Sequence, residues 1–183
     1  MSIIAFRAVS IGLLAGVATF LTLGPAAGHG LRSWAVFIAW ASFIHLGGGL
    51  EGLKKTISHN LFGAFLGSLA LGFATQLPAG LSISYAAWAS IGVALGICAI
   101  VLASKLPALS DIASSLLGFA AILIGALPDV SIEKMVTPSL ENPIVGVVAS
   151  LILGALLAFI AEAIADLLRK RWPQRGAGST VKA

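Results

Sequence analysis

Charge is what this chain has least of. Only 10% of its 183 residues are Asp, Glu, Lys or Arg, against about 25% in a typical soluble domain. So little charge cannot cover a water-facing surface, and 58% of the residues are hydrophobic. Most of the outer surface therefore has to meet lipid. Cysteine is nearly missing as well. Cys98 stands alone inside an apolar run, which excludes a disulfide framework within one chain. The Lys and Arg residues outnumber the acids, but they sit at the ends of apolar runs, so nucleic-acid binding is not expected. There is no Walker loop, no HExxH and no plausible Ser-His-Asp setting, so the chain does not read as an enzyme. His29, His45 and His59 lack ligand spacing such as HxxxH and have no second Cys beside them, which argues against a metal site; no cofactor is expected.

What the chain does have is apolar runs. A spanning helix needs about 20 mostly apolar residues, and breaks fall at charges, Pro and Gly clusters. On that basis six transmembrane helices are expected near residues 8–24, 33–49, 60–77, 84–104, 109–127 and 143–167. They form an all-α integral membrane domain over 1–170, followed by a polar, disordered cytoplasmic tail at 171–183. The start, Met1 to Arg7 and an apolar run ending at Gly24-Pro25-Ala26-Ala27, also resembles a signal peptide. The first-span reading is preferred because the repeat described next uses this segment.

The basic residues give a sidedness. With the N-terminus cytoplasmic, the inner side holds Arg7, Lys54, Lys55, Lys105, Arg169, Lys170, Arg171, Arg175 and Lys182, and the outer side only Arg32 and Lys134. That asymmetry fits both termini being cytoplasmic. The loop from Pro128 to Asn142 carries Asp129, Glu133 and Glu141 and is expected outside. Trp34, Tyr85 and Trp172 fall at span ends, where aromatic rings sit at headgroup level.

The chain also resembles itself at a spacing of about 80 residues. Ser10-Ile11-Gly12-Leu13-Leu14-Ala15-Gly16 matches Ser90-Ile91-Gly92-Val93-Ala94-Leu95-Gly96. Phe37 matches Phe119, Asn60 matches Asn142, and Ser68-Leu69-Ala70-Leu71-Gly72 matches Ser150-Leu151-Ile152-Leu153-Gly154. Halves of three spans each, about 1–80 and 81–170, would enter the membrane from opposite sides and form an inverted repeat. Such proteins place their site near the midplane, where the halves meet.

Candidate residues follow. Gly12 and Gly16, Gly63 and Gly67, and Gly92 and Gly96 are GxxxG pairs expected to pack helices closely. Asn60 and Asn142 read either as helix caps or as amides lining a pathway. His45, before Gly47-Gly48-Gly49, reads as an interfacial group or as a polar group facing a cavity. Phe37, Trp40 and Phe43, with Phe119, read as core or lipid-facing aromatics, or as a constriction that sorts solutes. Asp111 opens the fifth span, where its first-turn position favours a carboxylate at the helix N-terminus, with a proton or cation site as the alternative. Glu162 and Asp166, with Arg169 and Lys170 beyond, read as an interfacial ion-pair face.

The stretch LRSWAVFIAWASFIHLGGGLEGLKK resembles the uncharacterised bacterial inner-membrane family typified by the enterobacterial YcdZ protein. The matching residues are Ser33, Trp34, Ala35, Phe37, Phe43, Gly48, Gly49, Leu50, Gly52, Leu53 and Lys54. This chain has His45-Leu46-Gly47 where the relative has Cys, Pro and Gln, so His45 is not expected to be a shared reactive group. The resemblance implies a multi-pass protein of the bacterial inner membrane. It supplies no activity, because the family itself is a domain of unknown function.

These readings together lead to an expectation of a channel or facilitator for a small polar solute, such as a urea-like amide, an ammonium-like cation or a small alcohol. A non-transporting structural or accessory subunit is the alternative. A lipid-acting membrane enzyme using Asp111, Glu162 or His59 is the third and weakest reading. The expected partners are the lipid bilayer, the solute and further copies of the chain, since six spans make a thin bundle.

Overall fold

Backbone groups in hydrocarbon have to pair within their own segment, so long apolar runs fold as helices. The computed structural model describes residues 3–76, 82–126 and 142–171. Its regular structure there is wholly helical: α1 (Ile3–Leu23), α2 (Ser33–His45), α3 (Gly49–Thr75), α4 (Tyr85–Ala103), α5 (Ile112–Ala126) and α6 (Pro143–Arg171), with 3-10 turns at Ala27–His29 and Pro107–Leu109. Four of these helices, α1, α3, α4 and α6, are long and apolar enough to cross a membrane. α2 and α5 are apolar but shorter, with 13 and 15 residues. The expectations for Asp129, Glu133, Lys134, Glu141, Trp172 and the rest of the tail lie outside the described residues.

One boundary needs correction. The segment carrying Lys54 and Lys55, expected to be a turn before a span at residue 60, is the opening of α3. The chain reverses earlier and faster than its polar residues suggest. Gly47, Gly48 and Gly49 take φ of 87°, 72° and 65°, the left-handed region that a side chain disfavours. The Gly48 N–H donates back to the Phe43 carbonyl at 3.1 Å, closing the end of α2. Glu51 then pairs with Lys54 at 2.9 Å across one turn, as helical spacing allows.

Contacts place the helix ends on two faces. On one, Glu162 near the end of α6 accepts from the Gly49 N–H at the start of α3, and Arg7 of α1 lies 3.8 Å from the same carboxylate. His45, ending α2, meets Asp111, just before α5, on this face too. On the other face the Arg32 N–H, just before α2, donates to Ser150 of α6 at 2.8 Å. Phe73 of α3 stacks on Trp88 of α4 there, with ring centroids 4.4 Å apart. Successive helices therefore alternate in direction.

The inner bundle is α2, α3, α5 and α6, with α1 laid on α6 and α4 laid on α3. α3 runs parallel to α5, and α6 runs parallel to α2. Each parallel pair closes at a glycine. A Cβ on Gly63 would overlap the Ser115 carbonyl, and one on Gly154 would overlap the Val36 carbonyl. Gly92 and Gly96 likewise face Phe73, Ala70 and Phe119. Gly12 and Gly16 differ, having nothing within 4 Å. The close packing expected of them is not made within the chain.

The two parallel pairs also bury matching residues. In α2 the buried positions are Ala35, Val36, Ala39, Trp40, Ser42 and Phe43, and in α5 they are Ser114, Ser115, Gly118, Phe119, Ala121 and Ile122. The sets coincide when Arg32 is aligned with Asp111, so Trp40, rather than Phe37, corresponds to Phe119. Along α3 and α6 the burial of Thr56, His59, Asn60, Gly63, Ala64 and Gly67 recurs at Val147, Ser150, Leu151, Gly154, Ala155 and Ala158. On this register Asn60 corresponds to Leu151 and not to Asn142.

Candidate functional site

A polar knot joins three helices on the Arg7–Glu162 face. Asp111, in the connection between α4 and α5, caps α5 as its position in the sequence suggests. Its Oδ1 accepts from the Ser114 N–H at 2.6 Å. Its Oδ2 lies 3.1 Å from His45 Nε2 of α2. Its backbone N–H donates to His59 Nε2 of α3 at 3.1 Å. With Nε2 accepting, Nδ1 carries the hydrogen and donates to the Lys55 carbonyl at 2.7 Å. These partners assign the tautomer of His59 and use both ring nitrogens.

Partial burial by itself would raise the Asp111 pKa. The Ser114 N–H and the neighbouring His45 outweigh it and hold the carboxyl below its ordinary value. A depressed folded-state pKa contributes stability above the unfolded value, near 3.9, and that contribution is lost as pH falls through the folded value. Asp111→Ala is therefore expected to lower stability at neutral pH by about 1 kcal/mol, the usual worth of a cap. The gap from the parent protein should close as the pH is taken below about 4. Thermal unfolding in detergent, followed by Trp fluorescence across pH, checks this; a gap that widens in acid would contradict it.

The same hydrogen-bond pattern recurs on the opposite face. The Arg32 N–H donates to Ser150 Oγ, and that hydroxyl donates to the Gly146 carbonyl at 2.7 Å one turn back. His59 and Ser150 thus play one role. Each accepts the N–H preceding the parallel helix and donates to a carbonyl four residues earlier in its own.

The three helices of the knot carry buried polar groups with no partner among the described residues. The amide of Asn60 is 1% exposed, and neither its Nδ2 nor its Oδ1 has a hydrogen-bond partner among the described residues. The hydroxyls of Ser42, Thr56 and Ser114 are buried and unpartnered in the same way. Thr56 and Asn60 are one turn apart on α3. Gly118, one turn beyond Ser114 on α5, packs directly on the Asn60 backbone. Ser42 lies one turn before His45, whose ring reaches Asp111.

Other expected site residues are placed elsewhere. Asn60 is in the middle of α3 rather than at a helix start, so it is not a cap. Asn142 precedes α6, and its Oδ1 accepts from the Ile144 N–H at 2.9 Å. Phe37 is 40% exposed, whereas Trp40 and Phe43 are buried, so the three rings do not share one lining. Trp40 and Phe43 line a cleft of about 270 Å³ with Arg7, Ile11, Gly48 and Glu162. Asp166 pairs with Arg169 at 3.7 Å, but Glu162 turns inward to Gly49 instead. His45 and His59 approach Asp111 at different atoms, and no group of three metal-ligating side chains forms among the described residues.

Reasoning from sequence passed over Ser42, Thr56 and Ser114 and gave Asp111 and His59 minor roles. The signal available was Thr56, His59 and Asn60 recurring at helical spacing. It is hidden once Lys54 and Lys55 are taken for a turn.

No curated protein and no solved structure matches the chain. Residues 8–166 match the family model described as protein of unknown function DUF1097, and the chain belongs to that family.

Proposed function

We propose that this protein is a six-span facilitator of a small polar solute in the bacterial inner membrane, built as an inverted repeat with both termini cytoplasmic. The observation that carries the reading is the unpartnered Asn60 amide, buried among apolar helices. A polar group at membrane depth is costly and by default marks a pathway or a partner. The recurrence of the Asp111–His59 bond as Arg32–Ser150 supports two halves of opposite sense. The alternating helix ends support six crossings, with α2 and α5 as short ones. The clustering of Arg7, Lys54, Lys55, Lys105 and Arg169 to Arg171 at ends of one face supports the cytoplasmic assignment. The open faces of Gly12 and Gly16 leave α1 free to pack against another copy in a homo-oligomer.

The test is flux. Purified protein in liposomes, mixed in a stopped-flow instrument with urea, acetamide, glycerol or an ammonium salt, should raise permeation of at least one of them above that of empty liposomes. Permeation at the empty-liposome rate for all four would leave the non-transporting accessory subunit as the better reading.

A further inference from the structure

The two parallel helix pairs bury the same positions but not the same chemistry. On the register fixed by the paired hydrogen bonds, Ser42 of α2 corresponds to Ala121 of α5, and Ser114 of α5 corresponds to Ala35 of α2. Thr56 of α3 corresponds to Val147 of α6, and Asn60 of α3 to Leu151 of α6. All eight residues are at most 2% exposed. Each pair has nearly one shape: a hydroxyl for a hydrogen, a hydroxyl for a methyl, a carboxamide for an isopropyl group. Ala35, Ala121, Val147 and Leu151 belong to one apolar core cluster.

Packing alone therefore does not call for these polar groups, since hydrocarbon fills the equivalent space in the other half. Burying a polar atom without a partner is unfavourable, and here every polar atom of the four side chains lacks one among the described residues. The polar set lies only toward the Asp111 face, and its apolar counterpart only toward the Arg32 face.

We propose that Ser42, Thr56, Asn60 and Ser114 form one binding site for a small uncharged molecule that both donates and accepts hydrogen bonds, of the amide or simple alcohol class. Three hydroxyls and a carboxamide supply donors and acceptors together. None carries charge. The ionisable neighbours are already engaged: Asp111 by the Ser114 N–H and His45, and His59 by Lys55 and the Asp111 N–H. An ion would find no free counter-charge there, whereas a neutral solute would find partners for every polar edge. The apolar set closes the path beyond the site, so the molecule enters from the Asp111 side.

This inference rests on the facilitator reading for its solute class but is tested apart from it. The experiment gives the polar half the chemistry of its counterpart, as the fourfold variant Ser42→Ala, Thr56→Val, Asn60→Leu and Ser114→Ala. Equilibrium dialysis of the detergent-purified full chain with radiolabelled urea, acetamide and glycerol should show saturable binding of at least one probe, weakened at least tenfold in the variant. The melting temperature of the variant, without probe, should equal or exceed that of the parent, because shape is kept and unpartnered groups are removed. Thr56→Val alone should move both readings in the same direction. A melting temperature several degrees lower would overturn the proposal, since the polar groups would then be holding the helices. Absent binding in the parent, or equal binding in the variant, would overturn it as well. Binding without liposome flux would remove the facilitator and leave the site standing.

Discussion

Gly63→Ala is expected to cost the protein about 3 kcal/mol or more, enough to deplete the folded form in the membrane. Overpacking by a methyl usually costs less, because a flexible side chain can move aside. At Gly63 the obstacle is backbone: the added carbon overlaps the Ser115 carbonyl and comes within 2.8 Å of the Phe119 nitrogen. Relief requires α3 and α5 to separate, which would strain the nearby Asp111–His59 bond. Gly72→Ala, in the same helix, is the matched control. Nothing lies within 4 Å of it, and Ala favours a helix over Gly by up to about 1 kcal/mol, so no loss is expected. Gly154→Ala should resemble Gly63→Ala, because its carbon meets the Val36 carbonyl in the same way. The measurement is the yield of monodisperse protein after detergent extraction, together with its melting temperature. Equal behaviour of Gly63→Ala and Gly72→Ala would contradict the α3–α5 crossing.

His59→Leu and Ser150→Ala should each lower stability by about 1–3 kcal/mol, the cost of leaving a donor without its acceptor. The orphaned donors are the Asp111 N–H and the Arg32 N–H. Ser68→Ala provides the comparison. Its hydroxyl bonds only the Ala64 carbonyl in its own helix, at 2.8 Å, and that carbonyl keeps its helical partner. Its loss should stay below about 0.5 kcal/mol. The prediction has a qualitative side too: an imidazole and a hydroxyl, chemically unlike, should give losses of similar size because they occupy one structural role. Thermal unfolding of the three variants checks it. A large loss at His59 with none at Ser150 would mean that the shared pattern carries no energy in the second half.

Much of the architecture was legible in the residues. The apolar runs fall on the six α-helices of the described residues, four of them long and apolar enough to cross a membrane. The start of α3 was missed because Glu51, Lys54 and Lys55 look like a solvated loop, although at three- and four-residue spacing they also suit a helix. Two further misreadings have one cause. Ser10 to Gly16 matches Ser90 to Gly96 by residue type, yet Gly12 faces open space and Gly92 faces Phe73. Alphabets dominated by Ala, Gly, Leu and Ser align easily, and a shift of two residues turns a helix face through about 200°. Asn60 was paired with Asn142 by residue type, whereas the burial pattern shared by α3 and α6 sets Asn60 against Leu151. The candidate site was half legible: Asn60 and His45 stand out as polar residues in apolar sequence. Ser42, Thr56 and Ser114 do not, because hydroxyls inside apolar helices usually bond their own backbone and attract no notice.

Under the proposed six crossings, the shortness of α2 has a consequence for the surrounding bilayer. Its thirteen residues rise about 20 Å, while the hydrocarbon layer is about 30 Å thick. On that proposal the acyl chains beside α2 would compress or the headgroups sag inward, forming a dimple next to longer neighbours such as α3 and α6. A permeant following α2 would then be stripped of water for only about two-thirds of the usual thickness, and its dehydration barrier would shrink with that length.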